Sequence, residues 1–288
     1  MGLVMNYPNP KNQENSSNNQ NAPILRFSDL TLGYNRHPAI HHLKGEIKKG
    51  CFLAIAGPNG GGKSTLLKGI VNELSPLEGI VERFNITPQS IAYLPQQAHF
   101  DASFPISIID FVALGLWQKC GAFLKINTEH QQKIKAAIDA CGLSGLENKP
   151  IGETSGGQLQ RARFAQVMVQ DSPLVLLDEP YAAIDAQTTF DLARLLKTWN
   201  AEGRTIISVL HDLTHIKQEY PNCLLLAREV IAWGKTADVL SAENQQKAHQ
   251  TLMQQSAAKI ICAPHLAHVA HQKHTEHSKN HQHNHELN

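Results

Sequence analysis

A glycine-rich segment that ends in a lysine and two hydroxyl residues most constrains the fold of this chain. It reads Gly57-Pro58-Asn59-Gly60-Gly61-Gly62-Lys63-Ser64-Thr65 and lies between the apolar segments 51–56 and 66–71. The first segment is typical of a buried strand and the second of a helix start, the context in which this pattern cradles phosphate. Glycines let backbone N–H groups point at an anion, and the helix adds its positive end. The segment predicts a nucleoside triphosphate site, with Lys63 on the phosphates and Ser64 on Mg²⁺.

Composition narrows the class of protein. The formal net charge is +1 over 288 residues, which argues against a basic surface for nucleic acid, so we expect no such partner. The longest apolar runs are too short to cross a bilayer, and no N-terminal segment resembles a signal peptide. The five cysteines form no C-x-x-C pair, which is typical of reduced thiols in the cytosol. These features indicate a soluble cytoplasmic α/β protein.

The pattern along the chain predicts a parallel sheet interrupted by a helical insertion. Residues 1–22 are polar and expected to be disordered. We expect one large domain over 23–240 with helices inserted at about 99–165, a helical extension over 241–264 and a His-rich tail over 265–288. The predicted strands are Ile24–Leu32, Ile40–Ile47, Cys51–Ala56, Ile91–Leu94, Leu174–Leu177, Thr205–Leu210 and Cys223–Ala227. The predicted longer helices are Ile106–Leu116, Glu129–Cys141, Gln158–Gln170 and Ala186–Asn200.

A second motif is the apolar segment Leu174–Leu177, which is followed by Asp178 and Glu179. A carboxylate at the end of such a strand can hold Mg²⁺, directly or through water, and the next one can polarise an attacking water. Alone this pattern is a weak signal, because many strands end in acidic residues. Together with the glycine-rich segment it predicts a metal ligand at Asp178 and a general base at Glu179.

A third motif, Thr154-Ser155-Gly156-Gly157-Gln158-Leu159-Gln160-Arg161, stands shortly before that acidic strand. Ser155 and the two glycines precede a predicted helix, where unpaired N–H groups offer another anion site. In isolation the motif also fits an ordinary serine N-cap followed by flexible glycines. Its place between the other two motifs favours the anion site.

With these motifs in order, the chain resembles the ATP-binding subunit of an ABC transporter over roughly Ile24–Thr236. The resemblance implies an α/β fold with a RecA-like P-loop core, an N-terminal antiparallel β segment and an inserted α-helical subdomain. It also implies ATP and Mg²⁺ as cofactors. Tyr34 is similar to the aromatic residue that stacks on adenine, and Gly57–Thr65 resembles the Walker A loop. Gln96 resembles the glutamine of the Q-loop.

The resemblance extends to the second half of the domain. Ser155, Gly156, Gly157 and Gln158 resemble the signature motif, with Thr154 where the family usually has leucine. Asp178 and Glu179 resemble the Walker B pair, Asp185 the D-loop acid and His211 the switch histidine.

The resemblance also implies a role for each of these residues. The residues implied for catalysis of ATP hydrolysis are Glu179, His211, Lys63 and Gln96. The implied Mg²⁺ ligands are Ser64, Gln96 and Asp178. Structural alternatives stay open for Tyr34 as a turn aromatic, Gln96 as a polar strand end and His211 as a structural histidine.

The resemblance further implies partners. In this family two ATPase subunits join head to tail, so that each ATP lies between one Walker A loop and the signature motif of the other subunit. One set of motifs therefore implies a homodimer. Transport requires a separate integral-membrane permease, with a periplasmic metal-binding protein in the complex, which places this chain on the cytoplasmic face of a bacterial inner membrane. The helical insertion resembles the region on which the permease docks.

Two features concern the cargo. Residues 100–112 are similar to the corresponding region of zinc and manganese importers. The tail carries half of the 16 histidines, at His265, His268, His271, His274, His277, His281, His283 and His285. Neutral imidazole is a good ligand for Zn²⁺, so the tail predicts weak, exchangeable zinc sites. A solubilising tail and a purification tag are the alternatives.

The sequence leads to an ATPase subunit of a zinc importer, with other functions left open. A manganese or iron importer fits the same motifs, because in this family the ATPase does not touch the transported ion. A soluble ABC ATPase of translation or DNA repair is a second class, although such proteins typically carry tandem ATPase domains or a long coiled-coil insertion. A metal-buffering protein is a third.

Overall fold

The computed structural model describes residues 22–96, 105–117, 126–182 and 184–262, with side chains described up to residue 254. An antiparallel sheet of order β2-β1-β4 opens the fold. Its strands are β1 (Pro23–Tyr34), β2 (His37–Lys48) and β4 (Glu78–Arg83). The predicted disordered segment 1–22 lies outside the described residues, except for Ala22.

The central sheet has the strand order β5-β6-β7-β3-β8-β9. Every neighbouring pair is parallel except the last, in which β9 runs antiparallel to β8. Strands β3, β6 and β7 are buried at every position, as parallel strands covered on both faces must be. The strands are β3 (Phe52–Ala56), β5 (Ile91–Leu94), β6 (Leu174–Asp178), β7 (Thr205–Val209), β8 (Asn222–Ala227) and β9 (Glu229–Lys235).

Helices cover this sheet and form the insertion between β5 and β6. In chain order they are α1 (Lys63–Ile70), α2 (Ile108–Ala113), α3 (Thr128–Ala140), α4 (Gly156–Val169), α5 (Ala186–Ala201), α6 (Leu213–Glu219), α7 (Thr236–Val239) and α8 (Ala242–Cys262). Helices α2 and α3 both pack against α4, and α4 also contacts β5 of the sheet. Within the described ranges no helix combines the length and the apolar character needed to span a membrane.

Two hydrophobic cores lie on opposite faces of the central sheet. Because side chains alternate along a strand, Leu53 and Ile55 enter the core shared with the antiparallel sheet and α1, whereas Phe52 and Ala54 enter the core shared with the inserted helices. The sheet is thereby held between the two layers. The loops that follow β3, β5, β6 and β7 lie at the carboxyl-terminal edge of this sheet.

The predicted α/β fold with an N-terminal antiparallel β segment is confirmed, but two strands were missed. Strand β4 has no buried residue and β9 is mostly half-buried, so neither shows the apolar run that predicts a strand. The predicted parallel sheet is confirmed from β5 to β8, and the missed strand β9 adds an antiparallel edge, because Arg228 at φ +62° turns the chain back. The predicted helix Ile106–Leu116 is shorter, with a 3-10 turn over Leu114–Leu116.

Candidate functional site

The glycine-rich loop connects β3, in the middle of the central sheet, with helix α1. Gly57 has φ +143°, and a Cβ atom there would lie 1.9 Å from the carbonyl oxygen of Leu226. Only glycine fits this close approach of the loop to β8. The backbone N–H of Arg228 donates to the oxygen of Gly61 at 2.8 Å, and Gly62 at φ +93° precedes the helix as its N-cap. The loop is thus held on the sheet with the N-terminus of α1 at its end.

Lys63 is the first residue of α1 and is only 6% exposed. Its Nζ donates hydrogen bonds of 2.9 Å to the backbone oxygens of Gly57 and Pro58. Burial lowers the pKa of Lys63, and the charges of Glu179 and Asp178 act in the opposite direction. The ammonium group is therefore held inside its own loop, close to two acidic side chains.

Asp178 closes strand β6 and is 2% exposed. Its Oδ1 has no hydrogen-bond partner among the described residues. Burial raises the pKa of Asp178, and a hydrogen bond from Ser64 lowers it in part. A buried carboxylate oxygen without a partner, next to a serine hydroxyl, fits the all-oxygen coordination that Mg²⁺ requires. With the amide oxygen of Gln96 as a further donor, the residues present suit this ion.

Glu179 follows Asp178 in the left-handed region, at φ +52°. Its backbone N–H donates to the oxygen of Val209, the last residue of β7, at 3.1 Å. Its side-chain Oε1 lies 2.5 Å from Nε2 of His211, the second residue beyond β7. The left-handed turn thus brings a carboxylate and an imidazole together at the edge of the sheet.

One cleft of about 550 Å³ collects most of the predicted residues. It is lined by Asn59, Gly60, Gly61, Gly62, Lys63, Ser64, Thr65, Gln96, Glu179 and His211. These residues follow β3, β5, β6 and β7, whose carboxyl ends meet at one edge, the usual place for a ligand in an open α/β sheet. The cleft combines helix N–H groups, an ammonium group, a hydroxyl group, an amide, a carboxylate and an imidazole.

The predicted signature residues lie outside this cleft. Ser155 caps α4 in a capping box: its Oγ accepts from the N–H of Gln158 at 3.2 Å, and its own N–H donates to Oε1 of Gln158 at 3.1 Å. Gly156 is exposed, and a Cβ atom there would meet nothing within 4 Å. Thr154 turns its hydroxyl inward and donates to the oxygen of Ile151 at 2.6 Å. Gly156 is therefore open to another molecule.

Tyr34 and Asp185 also lie outside the cleft. Tyr34 ends β1, is 46% exposed, and has Nζ of Lys68 at 5.9 Å from the centre of its ring. Asp185 is the N-cap of α5: Thr188 donates to it from its backbone N–H at 2.9 Å and from its hydroxyl at 2.7 Å. These bonds from Thr188 lower the pKa of Asp185. Both side chains remain accessible.

Two polar side chains that the sequence did not single out touch the loops of the cleft. Gln160 and Arg163 lie on α4 and hydrogen-bond to the oxygens of Pro180 and Pro95, which flank Glu179 and Gln96. Gln160 lies within the third motif, where the sequence gives it no separate role, and Arg163 follows that motif by two residues. Neither position carries a pattern that identifies its contact with the loops.

The predicted zinc ligands of the tail, His265 to His285, lie outside the described residues. The same holds for most of residues 100–112, of which 105–112 are described, and for Ala183 beside the D-loop. In the part of the chain that the structure does describe, no group of three or more His, Cys, Asp and Glu side chains is arranged to hold a metal ion.

Comparison with known proteins agrees with this geometry. The family model described as "ABC transporter" matches residues 40–182. The zinc transport system ATP-binding protein TroB of Treponema pallidum is 35% identical over 79% of this chain and 87% of its own length. The manganese transport system ATP-binding protein MntB of Halalkalibacterium halodurans is 32% identical over 79% of this chain and 92% of its own.

A solved structure agrees as well. A metal-chelate type ABC transporter in an inward-facing conformation superposes with a TM-score of 0.69 at 27% identity, over 79% of this chain and 89% of that one. The order of the motifs, the cleft that joins the glycine-rich loop to the acidic strand end and the similarity over most of both chains lead to one conclusion: this chain belongs to the ABC transporter family, as an ATP-binding protein.

Proposed function

We propose that this chain is the ATP-hydrolysing subunit of a membrane transport system that imports a divalent metal, with zinc as the cargo. The observation that carries the proposal is the cleft in which Lys63, Ser64, Gln96, Glu179 and His211 meet. Relatives named for zinc and for manganese transport support a metal cargo. Import follows from the resemblance to metal importers. Manganese remains the second candidate, because the identities to the two kinds of relative are similar.

ATP enters the cleft with its phosphates against the loop that precedes α1. Lys63 exchanges its two carbonyl partners for β- and γ-phosphate oxygens, and its charge offsets the charge that develops on transfer. Ser64, Asp178 and Gln96 supply oxygen donors for the metal. A Mg²⁺ ion held by these donors would neutralise phosphate charge. Tyr34, exposed at the end of β1, offers a ring on which adenine stacks.

Glu179 acts as the general base. It orients a water molecule in line with the γ-phosphate and accepts its proton as the oxygen attacks phosphorus. His211, 2.5 Å from the carboxylate, holds Glu179 in this orientation and donates to a γ-phosphate oxygen from a ring nitrogen. The turn at φ +52° supports this role, because a strained backbone is kept where function needs the side chain in one place.

A second copy of the chain completes the site. The signature residues Ser155, Gly156, Gly157 and Gln158 do not line the cleft of their own chain. Gly156 is exposed and an added Cβ atom there meets nothing within 4 Å, so this position suits the phosphates held by another subunit. We therefore propose a head-to-tail homodimer with two ATP molecules between the subunits. Asp185, accessible at the start of α5, lies on the segment expected at this interface.

The complex includes an integral-membrane permease and a periplasmic metal-binding protein. The permease docks on the inserted helices at about 99–165, which places the dimer on the cytoplasmic face of the inner membrane. We retain the division of the chain into residues 1–22, the ATPase domain 23–240, the extension 241–264 and the tail 265–288. The histidines of the tail bind Zn²⁺ weakly and exchange it readily.

The test is the metal content of cells that carry the Lys63→Ala variant in place of this chain. We expect low cellular zinc and poor growth in chelator, restored by added zinc but not by manganese or iron. The control is Lys44→Ala, which removes an exposed lysine ion-paired with Asp29 on the antiparallel sheet. A deficit of manganese or iron in place of zinc would identify that metal as the cargo. Normal content of all three metals would contradict the proposal that the chain serves a metal importer.

A further inference from the structure

A short chain of hydrogen bonds connects helix α4 with both loops that flank the cleft. Gln160 is 7% exposed, and its Nε2 donates to the oxygen of Pro180 at 2.9 Å. Its Oε1 accepts from Nη1 of Arg163 at 3.0 Å. The other terminal nitrogen of Arg163, Nη2, donates to the oxygen of Pro95. Two side chains one helical turn apart thus connect two loops that are distant in the sequence.

The first contact fixes the turn that carries Glu179. Pro180 directly follows Glu179 and is buried, so its carbonyl oxygen depends on a protein partner. On the other side of the turn the N–H of Glu179 donates to Val209 of strand β7. The left-handed turn is therefore held from both ends, by β7 before Glu179 and by Gln160 after it. Such a conformation persists only where its surroundings determine it.

The second contact fixes the start of the loop that carries Gln96. The carbonyl of Pro95 belongs to the planar peptide group between Pro95 and Gln96. Its orientation therefore fixes the position of the backbone nitrogen and Cα atom of Gln96. Arg163 is half-buried, and its planar guanidinium reaches this oxygen and Gln160 at once. A lysine at this position has a single ammonium group, which cannot reproduce the planar arrangement of the two terminal guanidinium nitrogens.

We propose that Gln160 and Arg163 are positioning residues for ATP hydrolysis. They hold Glu179 and Gln96 in a fixed relation to helix α4, whose N-cap is the signature serine, Ser155. A shift of α4 against the sheet then either moves both loops together or breaks these bonds. This inference rests on the proposed ATPase function and adds how the signature helix reaches the catalytic base of its own chain.

The test compares ATP turnover by the purified full-length chain and its variants. Gln160→Met and Arg163→Met remove the hydrogen bonds at similar size, and the double variant removes both. The matched control is Gln166→Met, since Nε2 of Gln166 donates to the backbone oxygen of Phe111, on α2 of the insertion, at 3.2 Å. We expect kcat to fall about tenfold or more for each single variant, with the KM for ATP within about twofold of wild type.

Non-additivity separates positioning from general destabilisation. Because the two residues act through one chain of bonds, the double variant is expected to lose no more turnover than the more impaired of the two single variants. Arg163→Lys, which keeps the charge but not the fork, is expected to fall between wild type and Arg163→Met. Thermal midpoints of the variants are compared with that of Gln166→Met.

Three results would overturn the inference: kcat within about twofold of the Gln166→Met control, losses that multiply in the double variant, or a loss that appears in KM alone. If Arg163→Met does not fold, Gln160→Met and Arg163→Lys decide by the same criteria. Glu179→Gln is measured in parallel to separate the two proposals. Absence of ATP turnover by the wild-type chain would contradict the proposed function itself, whereas turnover left intact by Glu179→Gln would only remove Glu179 as the base.

Discussion

Nε2 of His211 lies 2.5 Å from Oε1 of Glu179, although the two residues are far apart in the sequence. The contact exists because β6 and β7 are parallel neighbours that pair Asp178 with Val209 at their ends. The next residues of both strands therefore leave the sheet at the same edge. Any account of hydrolysis by this chain begins with that pair.

Replacing Glu179 by glutamine is expected to lower ATP turnover by about 10²–10⁴-fold, because the amide cannot accept a proton from water. ATP binding is expected to stay close to wild type, since the carboxylate is not needed to hold the phosphates. Turnover and ATP affinity of the purified chain measure both effects. Glu229→Gln, at the start of β9, is the control, and near-normal hydrolysis by Glu179→Gln would remove Glu179 as the base.

Replacing Lys63 by alanine is expected to weaken ATP binding by about 10–100-fold, the usual cost of losing a charged hydrogen-bond donor. Its Nζ lies within the loop, bonded to two carbonyl oxygens, and among the described residues no other lysine lines the cleft. Titration with a fluorescent ATP analogue measures the effect, with Lys44→Ala as control. An unchanged affinity would mean that the backbone N–H groups alone hold the phosphates.

Replacing Asp178 by asparagine is expected to stabilise the nucleotide-free chain while it abolishes hydrolysis. Burial raises the pKa of this carboxyl, so its folded value lies above the unfolded value of about 3.9 and the folded state holds the proton more tightly. Stability from this group is fully present below the unfolded pKa and is lost as pH rises through the folded one.

Thermal unfolding between acid and neutral pH tests this expectation. An uncharged amide removes the cost of burying a carboxylate whose Oδ1 has no hydrogen-bond partner among the described residues, so the midpoint at neutral pH should rise by about 2–4 °C for each kcal/mol recovered. The gain should vanish at acid pH, where the wild-type carboxyl is protonated. A lower midpoint for Asp178→Asn at neutral pH would show that the contacts of the charged carboxylate with Ser64 and Lys63 outweigh the cost of its burial.

Two glycines of the loop provide a matched pair of substitutions. Gly57→Ala places a Cβ atom 1.9 Å from the oxygen of Leu226, so the loop must leave the sheet. Gly60 also has positive φ, at +76°, but an added Cβ meets nothing within 4 Å, so Gly60→Ala should cost only about 1–2 kcal/mol. We expect a clearly larger fall of the melting midpoint for Gly57→Ala. Equal falls of the midpoint would mean that the positive φ angle, and not the contact with β8, causes the loss of stability.

Truncation after Pro264 is expected to reduce the number of zinc ions bound while leaving ATP turnover unchanged. All residues of the cleft precede that point, whereas the tail histidines follow it. Titration with Zn²⁺ of the full-length and truncated chains gives the stoichiometry, with Mg²⁺ as the control ion. Equal stoichiometry would show that the tail does not bind the metal.

The sequence predicted the loops of the site better than the sheets that carry them. The motif around Lys63 and the acidic pair at 178–179 are recognisable because their chemistry demands particular residues in order. Strands β4 and β9 were missed, because a strand that is half-exposed and paired on one side has no distinctive pattern. Gln160 and Arg163 were missed because their partners are backbone oxygens, which every residue has.

By itself, the sequence determined the phosphate loop, the acidic strand end and the alternation of buried strands and helices, since these depend on residue types at short spacing. Only the tertiary structure decided which loops meet. The strand order β5-β6-β7-β3 brings Gln96, Glu179, His211 and Lys63 to one edge, and it leaves Ser155 outside that cleft. Strand order is set by how the two cores pack across the whole chain, and no local spacing encodes it.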